Sequence, residues 1–134
     1  MNSLEANKAV VRRIYEEGYD RGEPAVFETL YAPGFIHHSK VIFDVRPGGL
    51  GELDSMRRFR EAMPDVRFTV IDQLAEGDMV ATRLHIRGTP VADYGTVQAA
   101  GGAFEVHALA LFRVVDGLAA DEWFFVDGGT GEGH

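Results

Sequence analysis

The sequence predicts a single α+β domain, and three observations predict it. Apolar residues recur at helical spacing in the first half of the chain. The period changes to strict alternation near residue 66 and stays there. Helices are therefore grouped first and strands second, the order of an α+β fold rather than of alternating α/β units. A length of 134 residues fits one domain of ordinary size.

Residues 4–19 read as the first helix. Val10, Val11, Ile14 and Tyr15 form its apolar stripe, Ser3 and Asn2 are candidate caps, and Gly18 and Gly22 mark its end. Pro24 opens a second, shorter helix with Ala25, Phe27, Leu30 and Tyr31 on its apolar side, and Pro33-Gly34 stops it. Phe35-Ile36-His37-His38 is a short extended piece. Pro47-Gly48-Gly49-Leu50-Gly51 reads as a flexible link, after which residues 52–63 form a third helix carrying Leu53, Met56, Phe59 and Met63. Val66, Phe68 and Val70 then alternate with polar residues, as do Val80, Thr82, Leu84 and Ile86. Strands over 103–115 and 118–127 flank Asp116-Gly117, a hairpin signal. Such strands pack one face of a curved sheet on the helices and leave the other free. The single domain spans 1–134, with 127–134 expected as a flexible tail.

Composition narrows the function. Thirteen basic against twenty-one acidic residues give a net charge of −8, which disfavours nucleic acid as a partner. There is no cysteine, so disulfides, thiol nucleophiles and cysteine-based metal centres are excluded. No stretch approaches the roughly 20 apolar residues of a membrane span. MNSLEANKAVVRR is not the basic-then-apolar pattern of a signal peptide, so a cytoplasmic location is expected. There is no P-loop, GxGxxG, HExxH or GxSxG motif.

The candidate chemistry lies in titratable residues set within apolar strands. His107, between Val106 and Ala108, is either a general base in a pocket or a buried histidine bonded to backbone. Glu105, two residues earlier, shares its strand face and either orients His107 or sits at the surface. Glu122 precedes Trp123-Phe124-Phe125, and a carboxyl against aromatic neighbours loses solvation and rises toward general-acid range. A solvated strand edge is the alternative. Parity puts Glu122, Phe124 and Val126 on one face and Trp123, Phe125 and Asp127 on the other. His37 and His38 point to opposite sides of an extended segment and cannot readily chelate together, so no metal site is expected.

Residues 5–127 resemble the SnoaL-like polyketide cyclase family, within the broader nuclear-transport-factor-2-like fold. The resemblance is carried, in order, by Asn7–Glu17, by Leu30-Tyr31-Ala32-Pro33-Gly34-Phe35-Ile36-His37-His38, and by Phe59–Phe68. It continues through Ala75-Glu76-Gly77-Asp78-Met79-Val80-Ala81-Thr82-Arg83, Leu111–Gly117, Glu122-Trp123 and Asp127. It implies a cone-shaped barrel, a curved and mostly antiparallel sheet on three N-terminal helices, with an apolar pocket between them. It also implies a homodimer joined through the sheet, no cofactor, and an apolar, oxygenated small molecule as ligand. In the cyclases an acidic residue just after the last-strand tryptophan abstracts a carbon-bound proton and starts an aldol closure.

By the resemblance, His107 matches a pocket position of the penultimate strand, His38 the histidine near the pocket mouth, and Tyr15 the pocket-facing aromatic of the first helix. The position after Trp123 is Phe124, a departure from the family. Glu122 shares that face about 7 Å along the strand. The resulting expectation is a cofactor-independent acid/base enzyme of cyclase or isomerase type. His107 and Glu122 are its catalytic pair, and Tyr15, His38, Phe59, Met63, Trp123 and Phe124 are its substrate contacts. The alternative is a non-catalytic binding or dimerisation module that has lost the cyclase carboxylate.

Overall fold

The computed structural model describes residues 3–39, 48–94 and 97–127. The expected tail beyond Asp127 lies outside the described residues, as does Pro47. The first helix, α1 (Leu4–Arg13), is capped by Ser3, whose side chain accepts from the Ala6 N–H at 3.0 Å. The chain continues as a π-helical segment over Ile14–Asp20, where the sequence predicts ordinary helix. Gly18 sits in this wider turn, and a Cβ there would lie 2.9 Å from the Phe27 ring. The segment thus presses closely on α2 (Pro24–Thr29), which buries Val26 and Phe27 while Ala25 faces out.

β1 (Tyr31–His37) is longer than the short extended piece expected. The third helix, α3, runs Gly48–Ala62 and so takes up Gly48-Gly49-Leu50-Gly51, read from sequence as a link. Contact explains Gly49. A Cβ on Gly49 would stand 2.5 Å from the Phe27 carbonyl oxygen, so only glycine lets α3 begin against α2. β2 (Arg67–Glu76), β3 (Met79–Gly88), β4 (Phe104–Val115) and β5 (Leu118–Asp127) follow, with a 3₁₀ turn at Ala99–Gly101. Asp116 and Gly117 both have positive φ, 53° and 78°, as the predicted hairpin requires.

The sheet order is β1-β5-β4-β3-β2, so β1 and β2 are its two edges and the sheet is open, not a closed barrel. β1 runs parallel to β5, and the other neighbours are antiparallel. The inner face contributes Val80, Leu84, Ile86, Val106, Ala108, Ala110, Phe112 and Val114 to one core with Val11, Ile14 and Tyr15 of the first helix. Among the described residues no helix is long and apolar enough to cross a membrane.

Candidate functional site

The inner face of β5 brings a carboxyl into the core. Glu122 pairs with the buried Phe112 across β4–β5 and is itself only 3% exposed. The parallel register of β1 sets His37 directly beside it, and His37 Nε2 lies 3.6 Å from Glu122 Oε1. From the helical side, Tyr15 donates to Glu122 Oε2 at 3.1 Å. The π-helical turn stacks Tyr19 on Tyr15, with ring centroids 5.5 Å apart. Tyr19 donates to Glu52 Oε1 at 2.9 Å, and Glu52, on α3, is 2% exposed. Two helical segments and two strands thus converge on a knot of two carboxyls, an imidazole and the three phenols of Tyr15, Tyr19 and Tyr31. Glu122 Oε1, Glu52 Oε2 and the Tyr31 hydroxyl are buried there without hydrogen-bond partners among the described residues.

Burial dominates the electrostatics. Loss of solvation pushes the Glu122 carboxyl well above its ordinary range, nearby Glu52 raises it further, and the Tyr15 hydrogen bond works the other way. Desolvation lifts Glu52 to about 7 against the opposing bond from Tyr19. Desolvation, then repulsion from His38, brings His37 down to about 4. The His37 imidazole is therefore uncharged near pH 7, and its contact with Glu122 is not an ion pair. The phenols of Tyr15, Tyr19 and Tyr31 are held well above their usual range, first by burial and then by carboxyl neighbours.

His37, Glu52 and Glu122 each offer one ligand atom, all within 4.8 Å of one another, a spacing that would admit a small cation. The imidazole argues against it. Nδ1 accepts from the Ser39 N–H at 3.2 Å, so the neutral ring carries its proton on Nε2, the atom turned toward Glu122. A protonated nitrogen has no lone pair for a metal.

The predicted site residues separate into two groups. Glu122 and Tyr15 meet in the knot. Phe59 and Met63 lie in the core, Phe59 edge-on to Phe68, and Phe124 is half-buried on the inner face. His107, Trp123 and His38 lie on the outer side, which corrects the expected pairing of His107 with Glu122. Strand parity is the reason. His107 alternates with the buried Val106 and Ala108 and is exposed, 4.9 Å from the His85 ring. It borders an open groove of about 500 Å³ shared with Arg83, Leu109, Phe125 and Asp127. Glu105 shares that face but bonds His85 at 2.6 Å. His38 stacks on Trp123 at 4.5 Å and bonds Asp121 at 2.8 Å, outside the core.

Sequence reasoning missed His37, Glu52 and Tyr19. Signals for all three are present. His37 is two residues from the buried Phe35, Tyr19 is one helical turn from Tyr15, and Glu52 lies four, seven and eleven residues before Met56, Phe59 and Met63.

Residues 9–130 match the family described as SnoaL-like polyketide cyclase, and the chain belongs to that family. TsrD from Streptomyces laurentii superposes with a TM-score of 0.83 at 23% identity, over 98% of each chain. IdmH from Streptomyces antibioticus, a proposed polyketide cyclase, is 29% identical with a TM-score of 0.75, over 92% of this chain and 94% of that one. A proposed polyketide cyclase from Bacillus cereus ATCC 10987 is 22% identical with a TM-score of 0.77, over 93% of this chain and 76% of that one. No curated protein matches the chain.

Proposed function

We propose that the protein is a cofactor-independent acid/base enzyme in which Glu122 transfers a proton to or from an apolar, oxygenated small molecule. The observation that carries this reading is the Glu122 carboxyl itself. It is buried, bound at Oε2 by Tyr15, and has Oε1 beside the His37 imidazole without a hydrogen-bond partner among the described residues. A carboxyl raised well above its ordinary range is a stronger base than an exposed one and can hold the proton it takes, as removal of a proton next to a carbonyl requires. Tyr15 steadies the carboxylate, and the Nε2–H of His37 faces the oxygen on which charge develops. The aromatic surroundings favour an apolar substrate.

The test starts from a thermal-shift screen of aromatic polyketides, steroids and terpenoid epoxides, followed by turnover of the ligands found. Glu122→Gln is expected to reduce turnover by about 10²–10⁴-fold with binding retained, and His107→Ala to leave turnover within about threefold. Equal turnover in Glu122→Gln and the natural protein overturns the reading. That result favours the non-catalytic binding module, to which Phe124 at the cyclase acid position already lends support.

We further propose that the outer sheet face joins two copies of the chain. Leu109 and Phe125 are cross-strand neighbours there, 41% and 51% exposed, and they supply an apolar centre for such a contact.

A further inference from the structure

Glu52 has no part in the reading above, which requires only Glu122. It is a carboxyl on a helix otherwise buried through Leu53, Met56 and Phe59, and its Oε2 meets no donor among the described residues. Glu122 presents the same arrangement from the opposite layer. Each carboxyl has one oxygen bound by a tyrosine hydroxyl and the other unpartnered among the described residues, and together with His37 they bring ligand atoms within 4.8 Å of one another. The other titratable groups facing the pair are Tyr15 and Tyr19 from the first helical segment and His37 and Tyr31 from β1. All are neutral near pH 7. No cation among the groups named offsets two negative charges, and two adjacent buried carboxylates repel strongly.

We infer that Glu52 is a positioning residue for Glu122, the two buried carboxyls sharing one proton so that the knot carries a single negative charge. This deepens the acid/base reading and rests on it for its catalytic meaning. A shared proton leaves one carboxyl as acid and the other as base at the same pH. When Glu122 takes a proton from carbon, the proton it held passes to Glu52, and the reverse transfer restores the pair. No other group is oxidised or reduced.

The shared proton makes the two titrations one coupled system. The test is ¹³C NMR of the protein labelled at glutamate Cδ, titrated from pH 4 to 9, with Glu52→Gln and Glu122→Gln assigning the two resonances. In the natural protein both resonances are expected to be biphasic, each sensing the other's step. In Glu52→Gln the Glu122 step is expected to move down by about one pH unit or more. Tyr19→Phe removes the bond that favours ionised Glu52, so the Glu52 step moves up there and the Glu122 resonance follows with it. Independent single-step curves, with Glu122 unmoved in both variants, overturn the inference. The biphasic curve of the natural protein supplies the answer where a variant fails to fold. The titration needs no substrate, so its failure leaves proton transfer by Glu122 standing, and a missing turnover leaves the shared proton standing.

Discussion

The two faces of β5 carry the same kinds of residue and give them opposite lives. On the inner face Glu122 sits under Tyr15 and beside His37, dry and displaced from its usual titration range. On the outer face Asp121 accepts from Arg113 at 2.7 Å and bonds His38 at 2.8 Å, and those partners hold its carboxyl below the ordinary range. One residue of separation along a strand decides between them. An acid is made useful by removing water and cations from it, and only the inner face does so. A histidine within an apolar run is no guide by itself. His107 has such neighbours, yet its side chain leaves the core through the pleat.

This contrast can be broken most sharply by the paired variants above, where Glu122→Gln is expected to lose turnover by about two to four orders of magnitude and His107→Ala almost none. Packing gives the next largest difference. Phe112→Ala, from the fully buried inner face, is expected to cost about 3–5 kcal/mol in urea denaturation, and Phe125→Ala on the outer face less than about 1 kcal/mol.

Stability against pH follows with its sign fixed by the shifts. Folded Glu52 keeps its proton up to about 7, where the unfolded chain has released it above about 4.5, so stability falls with rising pH across that window. Glu122 acts in the same sense. His37 opposes them. The unfolded imidazole binds a proton below 6.5 that the folded one refuses down to about 4, so this contribution rises over that range. A net fall of about 1–3 kcal/mol between pH 5 and 8 is expected. It becomes shallower in Glu52→Gln and steeper in His37→Gln, and denaturation at the two pH values measures it. The smallest effect on the fold belongs to Leu109→Asp. That change is expected to halve the sedimenting mass while moving stability by less than about 1 kcal/mol, and an unchanged mass excludes the outer face as the dimer contact.

Much of this organisation is legible in the residues, and the omissions have physical causes. The alternation of Val80, Thr82, Leu84 and Ile86 declares a half-buried strand, and the parity of Glu122 with Phe124 is correct as read. Gly48-Gly49-Leu50-Gly51 reads as a link because local propensity disfavours glycine in helices, whereas close contact with Phe27 and Tyr31 requires glycine at position 49. Which of His37 and His38 turns inward depends on the parallel pairing of β1 with β5, a non-local choice. The partnership of Glu52 with Glu122 likewise joins residues seventy positions apart in chain, on elements that only the fold brings together.

The most direct measurement of the central claim is the infrared difference spectrum between the natural protein and Glu122→Gln at pH 7. A carbonyl band of a protonated carboxylic acid, present in the natural protein and lost in the variant, is the predicted result. A carboxylate band that already appears for Glu122 at pH 5 contradicts the account, because it shows the inner carboxyl ionised as readily as the outer one.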